Sequence, residues 1–194
     1  MNYKETLEYI HSIPKFNRIL GNALLEKLLN KMGNPQDNLK FIHIGGTNGK
    51  GSTCTMVSQI LTEAGYKTGL FTSPFLKFFN ERIKINGVPI SNSDLADIAS
   101  YVKKITEKYD AFVSEFAFDT AVAFEYFNRQ NCDFVILEVG LGGKLDATNI
   151  IKNPLVVGFT AIGLDHCQYL GNTIDEISKE KAGIIKKNSD VVLY

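Results

Sequence analysis

The segment that most restricts the architecture is residues 40–64, KFIHIGGTNGKGSTCTMVSQILTEA. Residues 40–44 read as a short buried strand, residues 52–64 as a helix ending near Gly65, and a glycine-rich turn joins them. Backbone N–H groups in such a turn and at the helix start have no intrahelical partner and point outward as donors to an anion. Glycines let the chain approach phosphate oxygens without Cβ clashes. Lys50 can carry positive charge to the outer phosphates, and Ser52 or Thr53 can offer a hydroxyl to a phosphate or a metal ion. Thr47, Asn48, Gly49 and Gly51 complete the loop. The common phosphate-loop spacing has Gly, four residues, then Gly-Lys-Ser/Thr. Here position 44 is Ile, and Gly51 separates Lys50 from Ser52. A structural βα turn with a surface lysine is the alternative; the strand before and helix after favour a nucleotide site, with ATP as the expected ligand.

Helical patterns are also expected at residues 3–12, 21–33, 94–108, 115–129 and 173–187. Ser93 is the expected cap of the third of these. Strands are expected at 67–71, 133–139, 155–161 and 190–193, with a loop and a small hairpin turning at Asn86-Gly87 within 72–92. This alternation predicts an α/β fold, a P-loop NTPase-like, mostly parallel sheet with helices on both faces. The chain stops on an apolar strand with no covering helix, so the expectation is a fragment: one incomplete ATP-binding domain over 1–194.

Charge and cysteine content remove several classes. Lys plus Arg number 21 and Asp plus Glu 21, without the basic excess of a nucleic-acid surface. Cys54, Cys132 and Cys167 are widely spaced with no Cys-x-x-Cys pair, which suits neither a disulfide framework nor a zinc site. No stretch approaches 18 uncharged apolar residues and the N-terminus lacks a secretory pattern, so the expected setting is cytoplasmic with no membrane contact. Arg18, Arg82 and Arg129 are scattered, unlike the arginine-rich lid of a small kinase.

Ligands of parallel sheets gather at the carboxyl ends of strands. Glu138 ends the 133–139 strand, where a carboxylate can hold the magnesium that bridges nucleotide phosphates, and Gly140-Leu141-Gly142-Gly143 follows it. His166, with Asp165 as an alternative ligand, follows the 155–161 strand, and Ser73 in Thr72-Ser73-Pro74 follows the 67–71 strand. A lone His or a Ser-Pro pair can equally be structural. On sequence physics alone Lys181 is one of several solvated helix lysines.

These pieces together resemble one family. Gly33-Asn34-Pro35-Gln36, residues 42–52, Thr72-Ser73-Pro74, Phe79-Asn80-Glu81-Arg82-Ile83, LEVGLGGKLDATN at 137–149, residues 163–166 and EKAGI at 180–184 occur in order over nearly the whole chain. The chain is similar to the N-terminal part of the folylpolyglutamate synthase / dihydrofolate synthase family of the Mur ligase superfamily. The resemblance implies an ATP- and Mg2+-dependent ligase, expected to be monomeric, that joins L-glutamate to the carboxylate of dihydropteroate or a reduced folate through an acyl phosphate. It assigns phosphate binding to residues 47–53 and magnesium to Ser73, Glu138 and His166. It gives catalytic roles to Lys50, His166 and Lys181, the last as a carbamylated lysine. It places Phe75, Arg82, Ser114, Glu115, Phe116, Ala117, Leu145 and Asp146 along the pteridine site, and expects the glutamate-binding C-terminal domain to be absent. The family usually has His where this chain has Phe75, and Phe-Glu where it has Phe116-Ala117, with Glu115 shifted by two residues. A phosphate-binding protein of another kind, non-catalytic or differently specialised, is the alternative.

Overall fold

The computed structural model describes residues 1–15 and 21–194; Arg18 lies outside the described residues. Seven strands form one sheet in the order β4-β3-β2-β5-β1-β6-β7. β1 (Phe41–Gly45), β2 (Thr68–Phe71), β5 (Phe134–Glu138), β6 (Val156–Phe159) and β7 (Asp190–Leu193) run parallel. β3 (Ile83–Ile85) and β4 (Val88–Pro89) add an antiparallel edge. The Asn86-Gly87 hairpin is therefore an extension of the main sheet. Both of its central residues have positive φ, the geometry that a two-residue turn between twisted strands requires.

Side-chain alternation divides the sheet into two buried faces. Phe41, Phe71, Val135 and Leu137 face a large core built with α1 (Tyr3–Ser12), α2 (Ala23–Lys31), α4 (Asn92–Tyr109) and α5 (Glu115–Arg129). Ile44, Leu70 and Ile136 point the other way and meet Cys54 of α3 (Lys50–Glu63). Helices thus cover both faces, as the alternating pattern predicts. α5 is the most deeply set helix, burying Phe118, Phe124 and Phe127. Phe127 lies where Gly69 leaves room, since a Cβ at Gly69 would stand 2.8 Å from that ring.

Several boundaries depart from expectation for local reasons. α3 starts at Lys50, two residues earlier than the sequence pattern suggests, because Gly49 at φ +87° serves as its N-cap. α4 is capped by Ser91 rather than Ser93: Ser91 Oγ accepts the Asp94 N–H at 3.0 Å, while the Ser93 hydroxyl pairs with Ser91. α7 (Ile174–Ala182) opens on a Thr173/Glu176 capping box and stops at Gly183, short of residue 187. A four-residue helix, α6 (Cys167–Leu170), precedes it and is too short to leave a periodic signal. β7, read as an apolar strand, is exposed along its whole length as the sheet's edge.

Candidate nucleotide site at the carboxyl ends of the parallel strands

The turn after β1 is shaped by what it packs against. Gly46 has φ +142°, and a Cβ there would lie 1.9 Å from Thr160 Oγ1, so only glycine fits. The Thr47 N–H donates to Ala161 O at 2.8 Å, and its hydroxyl bridges Gly163 O and Gly163 N at 3.1 Å each. Thr47 therefore ties the loop to the segment after β6. Asn48 and Ser52 are exposed, and Thr53 is half-buried. Lys50 Nζ donates to Thr47 O at 3.1 Å, at the mouth of a cleft that also contains Asp165, His166 and Lys181.

β5 delivers Glu138 beside this turn. Glu138 is 5% exposed, and its Oε2 accepts the Ser73 N–H at 2.9 Å, so the ends of β2 and β5 are joined directly. Burial raises the Glu138 pKa, opposed by the Ser73 and Gly51 N–H groups and by the charges of Lys50 and Arg82. A Cβ on Gly51 would come 3.5 Å from both Glu138 oxygens, so the off-pattern glycine is where α3 passes closest to this carboxylate. A buried carboxylate beside a serine fits a hard divalent cation, whose charge would favour the ionised form. His166 belongs to the loop after β6. It is exposed, adopts φ +48°, and its Nε2 lies 3.6 Å from Asp165 Oδ2. Among the described residues no three His, Cys, Asp or Glu side chains converge as a metal cluster.

Lys181 differs most from the sequence reading. It is 4% exposed, not solvated, and its Nζ donates to Gly46 O at 2.8 Å. Burial and the charge of Lys50 lower its pKa, with Asp165 and Asp146 acting the other way. Ile177, Lys181 and Ile184 are all buried at helical spacing, so the lysine occupies an apolar stripe. That stripe was the available signal. Gly143 seats the loop after β5 on α7: a Cβ there would lie 2.8 Å from the carbonyl oxygens of Glu180 and Lys181.

The residues assigned to a substrate wall divide into two groups. Phe116 stacks on Phe71, with centroids 5.7 Å apart, and a Cβ on Gly140 would meet its ring at 2.7 Å. Phe75 packs against Phe79 and the Arg82 guanidinium. Ser114 caps no N–H with its side chain, and Leu145 is exposed. Ala117 is buried in the α5 core, and Glu115 Oε1 lies 3.2 Å from His11 Nδ1, so Glu115 points to α1. Asp146 is occupied internally: its carboxylate accepts from Leu141 N, Thr148 N and Thr148 Oγ1.

Behind Asp146 sits a buried histidine that sequence reasoning missed. His43 Nε2 is 2.8 Å from Thr148 Oγ1. The Thr148 hydroxyl donates to Asp146, so it accepts from His43, which assigns the proton to Nε2. Burial, then the charge of Lys186, pushes the His43 pKa from 6.5 down to about 3. An unfolded chain gains this proton near pH 6.5 while the folded one refuses it to about pH 3, so stability falls as pH drops through that window. Unfolding midpoints in urea should decline less between pH 6.5 and pH 4 in His43→Gln than in the parent; equal slopes would contradict this.

A strand, a glycine turn and a helix, with the buried Glu138 carboxylate at a neighbouring strand end, give the chain the architecture of the nucleotide-binding α/β class. A sequence model of the Mur ligase middle domain matches residues 44–193, and the chain belongs to the Mur ligase family. It is 42% identical to the folylpolyglutamate synthase of Lacticaseibacillus casei, aligning 99% of this chain with 46% of that protein. It is 43% identical to the dihydrofolate synthase/folylpolyglutamate synthase of Bacillus subtilis, over 98% of this chain and 45% of that one. A solved FPGS–AMPPCP–folate complex superposes on the whole chain with a TM-score of 0.94 at 42% identity, covering 48% of its own length. The chain thus spans about half the length of these relatives.

Proposed function

We propose that this chain is the ATP-binding half of a ligase that joins L-glutamate to the carboxylate of dihydropteroate or a reduced folate. The observation that carries the reading is the junction of Ser73, Glu138 and the 45–52 turn at adjoining strand ends, with Lys181 buried against the same turn. The relatives support the substrate class: they are folylpolyglutamate and dihydrofolate synthases.

The chemistry explains why such a site suits this task. A carboxylate is a poor electrophile because its oxygens leave poorly. Transfer of the γ-phosphoryl group converts it to an acyl phosphate; the glutamate amine then attacks and phosphate departs. The protein's part is positioning and charge neutralisation. The N–H groups of residues 47–53 and Lys50 cradle the phosphates. Ser73 and Glu138, with His166 as a third ligand, would hold a magnesium ion, whose charge would offset that of the phosphates. Phe75, Arg82 and Phe116 line the substrate's approach. Lys181, its pKa lowered by burial, is suited to react as the free amine with carbon dioxide. That step forms a carbamate and releases a proton, turning a buried cation into a ligand for a second magnesium. Its three cysteines are free, which suits a reducing compartment such as the cytoplasm, and no described helix is long and apolar enough to cross a membrane.

Two measurements test this. In the whole polypeptide that carries this chain, phosphate release from MgATP with dihydropteroate should depend on glutamate, and release indifferent to glutamate would sink the ligase reading. With 13C-bicarbonate, one carbamate carbon resonance should appear and be missing from Lys181→Ala; its persistence in that variant would remove Lys181 from the site.

A further inference from the structure

Eight side-chain polar atoms are buried without a hydrogen-bond partner among the described residues, and four of them belong to one pair: Arg82 Nε and Nη1, and Asp119 Oδ1 and Oδ2. Asp119, on α5, is 1% exposed. Its Oδ2 lies 3.7 Å from Arg82 Nε, close enough for attraction but too far for a direct hydrogen bond. Leaving such groups unpaired is costly, and native proteins tolerate it chiefly where function needs it. The sequence reading gave Asp119 no role.

The surroundings of Arg82 indicate what the pair is for. Its guanidinium carbon lies 5.1 Å from the Phe75 ring centre and 5.7 Å from that of Phe79. Its charge is felt at Glu138, on the nucleotide side. Burial pushes the Asp119 carboxyl up to about 8; the Arg82 charge acts the other way, and Glu115, itself turned toward His11, adds to the rise. Arg82 therefore stands beside the buried Asp119 carboxyl, with aromatic rings alongside and its Nε and Nη1 buried and unpaired. The side chain keeps 15% exposure, so the rest of the guanidinium can meet a carboxylate carried on a planar aromatic body.

We propose that Asp119 is a positioning residue, the buried carboxyl that fixes the Arg82 guanidinium against Phe75 and Phe79 so that its charge faces the substrate's carboxylate. The substrate half of this statement rests on the ligase reading above; the hold of Asp119 on Arg82 does not. Asp119 acts through Arg82 and leaves the phosphate turn alone.

Arg82 is one of three arginines in the chain, so its Nε–H proton can be assigned by NMR through Arg82→Lys. In the parent chain this proton should exchange slowly with water. In Asp119→Asn it should exchange at least about ten-fold faster, the loss expected when a buried pairing worth roughly 1.4 kcal/mol or more is broken. Asp119→Glu keeps the carboxyl on a longer arm and serves where the Asn variant fails to fold; it should shift the same resonance. Calorimetry supplies the second readout. Dihydropteroate affinity should fall by about ten-fold in Asp119→Asn while MgATP affinity stays within about two-fold, and the Asp119 effect should vanish in an Arg82→Met background. An unchanged Nε–H proton in the variants overturns the proposal. A parent chain that holds Arg82 as described yet binds no dihydropteroate leaves the positioning role standing and counts against the ligase reading instead.

Discussion

Replacing Lys50 by alanine should lower MgATP affinity by about 100-fold, the loss expected when a charge-assisted contact of roughly 1.5–3 kcal/mol is removed from a phosphate site. The fold should be little affected, because Lys50 is half-buried at a helix start and its amine bonds to the loop carbonyl of Thr47. A second effect follows from the same charge. Lys50 helps hold the Lys181 amine below its usual pKa, so removing it should raise that pKa and reduce the neutral amine present near pH 8. Carbamate formation at Lys181 should then require a higher pH, with the onset moving upward in 13C-bicarbonate titrations. Calorimetry and that titration together separate a phosphate lysine from a surface one. Unchanged MgATP affinity in Lys50→Ala would remove the 45–52 turn from the nucleotide site.

Much of the architecture was legible because its signals are local. A strand, a glycine-rich turn and a helix can each be read from a few neighbouring residues, and the parallel alternation follows from their succession. The strand-end positions of Ser73 and Glu138 were legible for the same reason: a residue at or just after the end of a strand in a parallel sheet lies at its carboxyl edge. What stayed hidden depends on residues far apart in the chain. Nothing near Lys181 announces that its amine reaches Gly46, 135 positions away. The contact exists because α7 lays an apolar stripe on the sheet and the lysine falls within it. The buried linkage of His43 to Asp146 through Thr148 likewise joins β1 to a turn about a hundred residues on. Asp119 looks in sequence like an ordinary polar break in an apolar helix; only packing places it beneath Arg82. The boundary errors are of another kind. Ser91 and Ser93 are both competent caps, and the choice between them is made where the chain leaves β4.

Gly143→Ala should damage the site more than its size suggests. The added methyl would stand 2.8 Å from the backbone oxygens of Glu180 and Lys181 and 2.9 Å from Lys181 Cα. These are backbone atoms within and at the end of a helical turn, so no side-chain rotation relieves the contact; α7 or the loop after β5 must move. Overpacking of this kind costs about 1–3 kcal/mol, a modest loss of stability. The functional loss should be larger because the displaced residue is Lys181, whose amine is held 2.8 Å from the phosphate turn at Gly46. A shift approaching 1 Å in a positioned group can cost about 100-fold in rate. In the whole polypeptide that carries this chain, Gly143→Ala should therefore retain a cooperative unfolding transition and MgATP binding within about ten-fold, yet lose about two orders of magnitude in glutamate-dependent phosphate release. Gly163→Ala is the natural comparison for stability, since a Cβ there meets nothing within 4 Å. If Gly143→Ala turned over like the parent, the close seating of loop on helix would be packing alone, and Lys181 would not need its present place.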